Sequence, residues 1–200
     1  MNDGSGIMLA LLAAGQSRRF GDQDKLGALL GEKMLGLHAA ETGAKISFSH
    51  KLVIGSPEHR CAAKWSELGY QVIANEDADH GQATSVRLAA AHAIDAGATA
   101  LCIMLADMPF VTGDHLRNLL TAFEQSGGTS TVASSRNGQA MPPAIFPSGA
   151  LERLMALEGD SGARSLLAEA QLIVADDPAL MDIDTKEDLA QANIISLDIK

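Results

Sequence analysis

The sequence is poor in aromatic residues, in cysteine and in positive charge. Aromatic residues make up 4% of the 200 residues and hydrophobic residues 46%, so the core must consist mainly of aliphatic side chains and methionine. The two cysteines, Cys61 and Cys102, do not form the CxxC pair that is typical of metal or redox sites. The formal net charge of -10 disfavours a general nucleic-acid-binding protein, because such proteins need a basic face.

A long apolar segment and a cationic leader are also missing. The apolar run at residues 7–14 is too short to cross a bilayer, and no lysine or arginine precedes it as in a signal peptide. We therefore expect a cytoplasmic protein that binds no membrane and whose cysteines stay reduced. The length suits a single domain over residues 1–200, with residues 1–6 as a flexible N-terminus.

Short apolar runs alternate with helical patterns along the chain. This alternation predicts an α/β fold in which helices cover both faces of a mostly parallel sheet. Thr112 and Thr185 are predicted helix N-caps, the latter with Asp188 three residues on. Strands are predicted at 7–13, 51–55, 70–74, 99–105, 129–135, 142–146 and 172–176, and helices at 33–45, 57–68, 82–96, 112–125, 148–156, 161–170 and after 185.

The first strand ends in an unusual polar stretch, "LLAAGQSRRFGDQDK" at residues 11–25. Gly15 lets the backbone come close to a ligand, and Arg18, Arg19 and Lys25 are cations that suit phosphate groups. The stretch is neither a Walker A loop nor a dinucleotide-binding fingerprint. By itself it fits a phosphate site and an ordinary solvated turn equally well.

Other polar residues follow other predicted strands, at the sheet edge where ligands bind in parallel sheets. Asp107 suits Mg²⁺ or a turn cap. Asp182 and Asp184 share a face if their segment is extended, so either could complete a metal site, or Asp184 could approach the next helix. The remaining candidates could contact a nucleobase or ribose, or could simply form a turn and a helix start: Asn75, Gly81 and Ser85.

Several segments together resemble the MobA-like nucleotidyltransferases, and within them the molybdenum cofactor cytidylyltransferases. These segments are residues 11–25, "GQATSVRLAAAHA" at 81–93, "LADMPFV" at 105–111, "PPAIFPSGALERLMALEGDSGARSLL" at 142–167 and "DIDTKEDL" at 182–189. They run in the family's order over nearly the whole chain. The resemblance implies a three-layer α/β/α, Rossmann-like nucleotide-diphospho-sugar transferase fold.

The resemblance also implies roles for individual residues. Lys25, Arg18 and Asp107 would be catalytic, and Asp107 would bind Mg²⁺ with Asp184 or, alternatively, Asp182. The acceptor would lie near Gly159, Asp160, Gly162, Ala163 and Arg164. The nucleotide would be bound by Leu12, Ala13, Ala14, Gly15, Ser17, Arg18, Arg19, Lys25, Asn75, Gly81 and Ser85.

The implied reaction is transfer of CMP from CTP to the terminal phosphate of molybdopterin, with release of pyrophosphate. Ala14 stands before Gly15 where guanylyltransferase relatives usually have a second glycine, which favours CTP over GTP. A molybdoenzyme or its maturation chaperone is the expected protein partner. Two alternatives stay open: transfer to a sugar phosphate or another phosphorylated acceptor, and a non-catalytic nucleotide- or cofactor-binding protein.

Overall fold

The computed structural model describes residues 6–15, 19–21, 24–157 and 164–198. Of the predicted flexible N-terminus, residues 1–6, only Gly6 lies within the described residues. Within this part of the chain, no helix is long and apolar enough to cross a membrane.

A seven-stranded sheet forms the centre of the molecule. Its strands are β1 (Ile7–Leu12), β4 (His50–Ile54), β5 (Gln71–Ile73), β6 (Ala100–Leu105), β7 (Val132–Arg136), β8 (Gln139–Pro147) and β9 (Gln171–Val174), and a separate hairpin contains β2 (Leu29–Leu30) and β3 (Lys33–Met34). The strand order is β5-β4-β1-β6-β8-β7-β9. The pairs β5/β4, β4/β1, β1/β6 and β7/β9 are parallel, whereas β8 runs antiparallel to both β6 and β7. The sheet is therefore mostly parallel, as predicted.

Helices cover both faces of this sheet. Along β1, Leu9 and Leu11 pack into one hydrophobic cluster, while Met8 and Ala10 pack into a second cluster on the opposite face. All six residues of β1 are buried, which explains why its sequence is continuously apolar rather than alternating. The helices are α1 (Leu35–Ala44), α2 (Ala62–Glu67), α3 (Gln82–Asp95), α4 (Gly113–Gln125), α5 (Leu151–Met155), α6 (Arg164–Leu167) and α7 (Lys186–Asp198).

Both predicted helix caps are confirmed. Thr112 Oγ1 accepts the backbone N–H of His115 at 3.1 Å, at the start of α4. Before α7, Asp188 Oδ2 accepts the N–H of Thr185 at 2.8 Å, and Thr185 Oγ1 accepts the N–H of Asp188 at 3.1 Å. This reciprocal capping box fixes the segment that carries Asp184.

Two predicted helices begin later than expected. The helix predicted from residue 33 begins at Leu35, because Lys33 and Met34 pair with β2 instead. The helix predicted from residue 57 begins at Ala62, because the side chain of His59 accepts the N–H of Cys61 and the chain forms turns there. A side-chain acceptor close in sequence competes with helix hydrogen bonding in this way.

In the second half of the chain, two helices and the last strand are also shorter than predicted. The helix predicted at 148–156 is a 3₁₀ turn, Ser148–Ala150, followed by α5. The helix predicted at 161–170 is the short α6; residues 161–163 lie outside the described residues. The last strand ends at Val174 rather than at residue 176.

Candidate active site

A pocket of about 310 Å³ opens at the carboxyl ends of β1 and β6, beside the start of α3. This is the edge of a parallel sheet at which ligands bind. Eight of the residues singled out in the sequence line it: Leu12, Ala13, Ala14, Gly15, Lys25, Gly81, Ser85 and Asp107.

Lys25 lies between two carboxylates at this edge. Its Nζ donates to Asp107 Oδ2 at 2.7 Å and to Asp184 Oδ1 at 3.0 Å, and only 7% of Lys25 is exposed. Arg19 Nη1 donates to the other oxygen of Asp184 at 3.2 Å, from an exposed position. The N–H of Ile183 donates to the carbonyl oxygen of Asp107 at 3.0 Å and so holds the Asp184 segment against the end of β6.

The charges of this cluster shift the pKa values of its members. Burial lowers the pKa of Lys25, but the charges and hydrogen bonds of Asp107 and Asp184 outweigh burial and raise it. Burial raises the pKa of Asp107 against the opposing effect of Lys25, and the charges of Asp182 and Asp184 add to the rise. We treat Lys25 and Asp107 as an ion pair because their contact is short and Asp184 also favours the charged ammonium.

Asp107 has one carboxylate oxygen without a partner. Oδ1 is buried, and no described residue donates a hydrogen bond to it. Leaving a buried acceptor unpaired is costly, which calls for an explanation such as an ion. Among the described residues no group of three or more His, Cys, Asp or Glu side chains could hold a metal alone. Asp107 with Asp184 does fit Mg²⁺, which commonly binds one or two carboxylates and completes its shell with substrate phosphates and water.

The start of α3 forms the opposite wall of the pocket. Gly81 adopts φ 99° and ψ 174°, a conformation that is essentially restricted to glycine. Asn75 Nδ2 donates to Thr84 Oγ1 at 2.9 Å and to Ser85 Oγ at 2.8 Å, while Asn75 Oδ1 accepts the N–H of Asp77. Asn75 thus anchors the first turn of α3, and its contact with a nucleobase stays a prediction.

Gly15 has no conformational need to be glycine. Its φ is not in the left-handed region, and no described atom lies within 4 Å of the position that a Cβ would occupy. We therefore expect Gly15→Ala to leave the melting temperature unchanged but to raise KM for the nucleotide about tenfold, because the methyl group would meet the ligand. Steady-state kinetics and thermal unfolding of the variant test this; an unchanged KM would show that no ligand approaches Gly15 closely.

Some predicted residues cannot be placed. Ser17, Arg18, Gly159, Asp160, Gly162 and Ala163 lie outside the described residues, and Arg164 is described only as the first residue of α6. The exposed Asp182 has no hydrogen bond to Lys25 among those recorded, in contrast to Asp184. Five further residues line the pocket that were not predicted from the sequence, although each lies within three positions of a predicted one. They are Leu26, Ala78, Asp79, Gln82 and Leu105.

Comparison with known proteins assigns the chain to a family. Residues 9–175 match the family model described as the MobA-like NTP transferase domain. The chain belongs to the MobA-like NTP transferase family. It is therefore a nucleotidyltransferase, as the resemblance implied.

Two relatives and one solved structure are similar to the chain over most of its length. The chain is 33% identical to the purine catabolism protein PucB of Bacillus subtilis, with 88% of this chain and 91% of PucB covered. It is 31% identical to a molybdenum cofactor guanylyltransferase of Cereibacter sphaeroides, with 91% and 93% covered. The Rv0371C protein of Mycobacterium tuberculosis H37Rv, solved in complex with manganese, has the same fold: the TM-score is 0.74 at 20% identity, with 94% and 97% covered.

Proposed function

We propose that this MobA-like enzyme transfers CMP from CTP to the terminal phosphate of molybdopterin, forming a cytosine dinucleotide cofactor. The observation that carries the proposal is the Lys25–Asp107–Asp184 cluster at the pocket of β1, β6 and α3. A cation and a metal-binding carboxylate at one pocket are what a nucleoside triphosphate requires. Lysine is seldom this buried unless it is paired, and the partners of Lys25 are two carboxylates at this edge of the sheet.

In the proposed reaction, an oxygen of the acceptor phosphate forms a bond to the α-phosphorus of CTP. The bond from that phosphorus to the bridging oxygen of the β-phosphate breaks, and pyrophosphate leaves. A phosphate acceptor is already ionised at neutral pH, so the reaction needs no strong general base. Catalysis then consists of positioning and charge neutralisation, in which Lys25 and Arg19, together with Arg18, offset the charge that develops on the leaving pyrophosphate.

Asp107 and Asp184 would hold Mg²⁺, which supplies charge neutralisation at the phosphate oxygens when bound. The unpaired Oδ1 of Asp107 supports this assignment. The manganese in the fold relative supports a divalent metal, and we propose Mg²⁺ as the working ion. We favour Asp184 over Asp182 as the second carboxylate, because Asp184 shares Lys25 with Asp107.

The choice of CTP depends on Ala14, which lines the pocket next to Gly15. We propose that the base lies against the methyl group of Ala14, which leaves less space for a purine than for the smaller pyrimidine ring. GTP is the second candidate, because a relative that is 31% identical is named a guanylyltransferase. We propose that the acceptor binds near residues 159–164 and that Asn75, Gly81 and Ser85 border the nucleotide. We also propose that a molybdoenzyme or its maturation chaperone receives the product in the cytoplasm.

A pyrophosphate-release assay with Mg²⁺ tests the proposal. The assay compares CTP, GTP, ATP and UTP, each with and without molybdopterin and with a set of sugar phosphates. We expect kcat/KM for CTP with molybdopterin to exceed that for each other nucleotide at least about tenfold, the discrimination expected of a few pocket contacts.

Each other outcome contradicts a specific part of the proposal. A preference for GTP would overturn the role of Ala14 while keeping the acceptor. Faster turnover with a sugar phosphate would overturn the acceptor. Tight nucleotide binding without pyrophosphate release from any pair would overturn the proposed reaction.

A further inference from the structure

We propose that His59 and Asp24 form a positioning pair that holds Lys25 in its catalytic orientation. This inference rests on the proposed role of Lys25 in nucleotidyl transfer. It goes beyond that role because His59 is 34 residues away in sequence and belongs to no segment that resembles the family's motifs.

Asp24 closes a turn around Lys25. Its Oδ1 accepts the N–H of Leu26 at 3.1 Å, so Lys25 is the central residue of an Asx turn. This hydrogen bond restricts the backbone dihedrals of Lys25 and hence the direction in which its side chain leaves the turn. The turn is tight, because a methyl group at Gly27 would clash with the carboxylate of Asp24.

His59 orients that carboxylate. The N–H of Cys61 donates to His59 Nδ1 at 3.0 Å, and a backbone N–H can only donate, so the ring proton is on Nε2. Nε2 lies 3.0 Å from the Asp24 carboxylate and therefore donates to it. The side chain of His59 is 15% exposed and that of Asp24 is 39% exposed, so the donor is largely shielded from water while the carboxylate is partly solvated.

The base of this arrangement is rigid. The His59 ring stacks on the ring of Trp65 with a centroid distance of 5.0 Å and an interplanar angle of 16°. Trp65 is fully buried, and its Nε1 donates to the carbonyl oxygen of Gly36 at 2.9 Å. Gly36 in turn donates its N–H to the carbonyl oxygen of Leu26 at 2.9 Å. The turn around Lys25 is thus held from both sides: at Asp24 by His59 and at Leu26 by α1.

This geometry gives His59 a role in catalysis without contact to the reacting atoms. Neither Asp24 nor His59 lines the 310 Å³ pocket, although His59 lines a neighbouring cavity of about 300 Å³ together with Ala14 and Gly15. Loss of the hydrogen bond would free the carboxylate of Asp24 and loosen the Asx turn, while the Gly36 contact keeps the turn folded. A small displacement of Lys25 would then weaken its stabilisation of the transition state.

The test is the kinetics of His59→Phe, a variant that keeps a ring to stack on Trp65 but loses both the donor to Asp24 and the acceptor of the Cys61 N–H. We expect kcat for pyrophosphate release to fall about tenfold, with KM for the nucleotide within about threefold of wild type. Asp24→Ala also removes the acceptor of the Leu26 N–H, so kcat should fall at least as far as in His59→Phe. The double variant should be no slower than Asp24→Ala, because the bond between His59 and Asp24 is lost only once. Asp24→Asn keeps an acceptor oxygen and should recover most of the loss.

Controls separate this role from simple folding defects and from failure of the proposed function. His50→Phe makes the same exchange at an exposed histidine at the other end of β4 and should match wild type. All kcat values are normalised to folded protein by circular dichroism. Wild-type kcat in His59→Phe, or multiplicative losses in the double variant, would overturn the pair. A raised KM for the nucleotide with unchanged kcat in His59→Phe would show that His59 contacts the ligand, and this result would also overturn the positioning pair.

The wild-type arm decides between the two proposals. If neither wild type nor His50→Phe releases pyrophosphate from any nucleotide, the proposed function is wrong, and the proposed role of the positioning pair is wrong as well. If both release pyrophosphate and His59→Phe does so at the same rate, the pair alone fails.

Discussion

Replacing Asp107 with alanine should lower kcat for pyrophosphate release at least about a thousandfold, equivalent to about 4 kcal/mol of transition-state stabilisation. The carboxylate has one oxygen on Lys25 and one buried oxygen without a described partner, so it has a free coordination position for a cation. Removing it takes away both the proposed metal ligand and one of the two carboxylates that accept a hydrogen bond from Lys25. The measurement is steady-state release of pyrophosphate with saturating nucleotide, molybdopterin and Mg²⁺.

The melting temperature of the same variant shows whether Asp107 is held at a cost in stability. Burial disfavours the charged form of Asp107 and raises its pKa, which favours the variant, whereas buried Lys25 is left with Asp184 alone, which disfavours it. A melting temperature equal to or above that of wild type, with activity lost, would mark Asp107 as a functional residue held at a cost in stability.

Two comparisons make the Asp107 result interpretable. Asp114→Ala removes an exposed carboxylate from the first turn of α4 and should leave turnover unchanged. Asp184→Asn should lower kcat more than Asp182→Asn, since only Asp184 has a recorded hydrogen bond to Lys25. Wild-type-like turnover of Asp107→Ala would remove Asp107 from the metal site and would leave its unpaired oxygen without a functional explanation.

The sequence was sufficient to predict the convergence of the site. Lys25 and Asp107 are 82 residues apart, yet both follow strands that are neighbours in the sheet, and parallel neighbours end at the same edge. The continuous apolar run of β1 reflects burial on both faces. Parallel strands end at the same edge whatever their order in the sheet, so the convergence of Gly15, Gly81 and Asp107 on one edge could be inferred without coordinates.

The pairing of side chains could not be inferred in the same way. The sequence assigned Lys25 to phosphate and Asp107 to metal as separate groups, whereas the structure places Lys25 directly on Asp107 and Asp184. Which lysine rotamer meets which carboxylate depends on the backbone path of the loop before it. That path depends on the side chains of Asp24 and His59, whose contact joins segments that show no shared pattern.

Side-chain contacts that the sequence pattern does not show also explain why α2 begins later than predicted. Pro57 is favourable at the first position of a helix, so the local signal at residues 56–57 was a valid one. The stacking of His59 on Trp65 and its bond to Cys61 stabilise turns over this segment instead. Side-chain contacts within residues 59–65 thus override the preference of Pro57 for a helix start.

Replacing Lys25 with methionine should have two opposite effects. Turnover should fall at least about a hundredfold, because the charge that develops on the leaving pyrophosphate loses its buried counter-charge. Binding of Mn²⁺ to the protein without nucleotide should become about tenfold tighter, because the ammonium group now occupies an oxygen of each carboxylate and repels a second cation. Electron paramagnetic resonance of free Mn²⁺ measures the second effect independently of activity.

The pH of this measurement matters, because Lys25 opposes the rise in the pKa of Asp107 that burial causes. Without Lys25 that pKa rises further, so the titration belongs at about pH 8, well above the usual carboxyl range. Lys33→Met is the matched control, because it removes a lysine that pairs with Glu41 outside the site. Tighter Mn²⁺ binding would mean that Lys25 and the metal compete for the same carboxylates. The metal would then bind best together with the nucleotide, because the phosphates of the nucleotide give Lys25 another partner. Unchanged or weaker binding would show that the metal uses oxygens that Lys25 leaves free, Asp107 Oδ1 first among them.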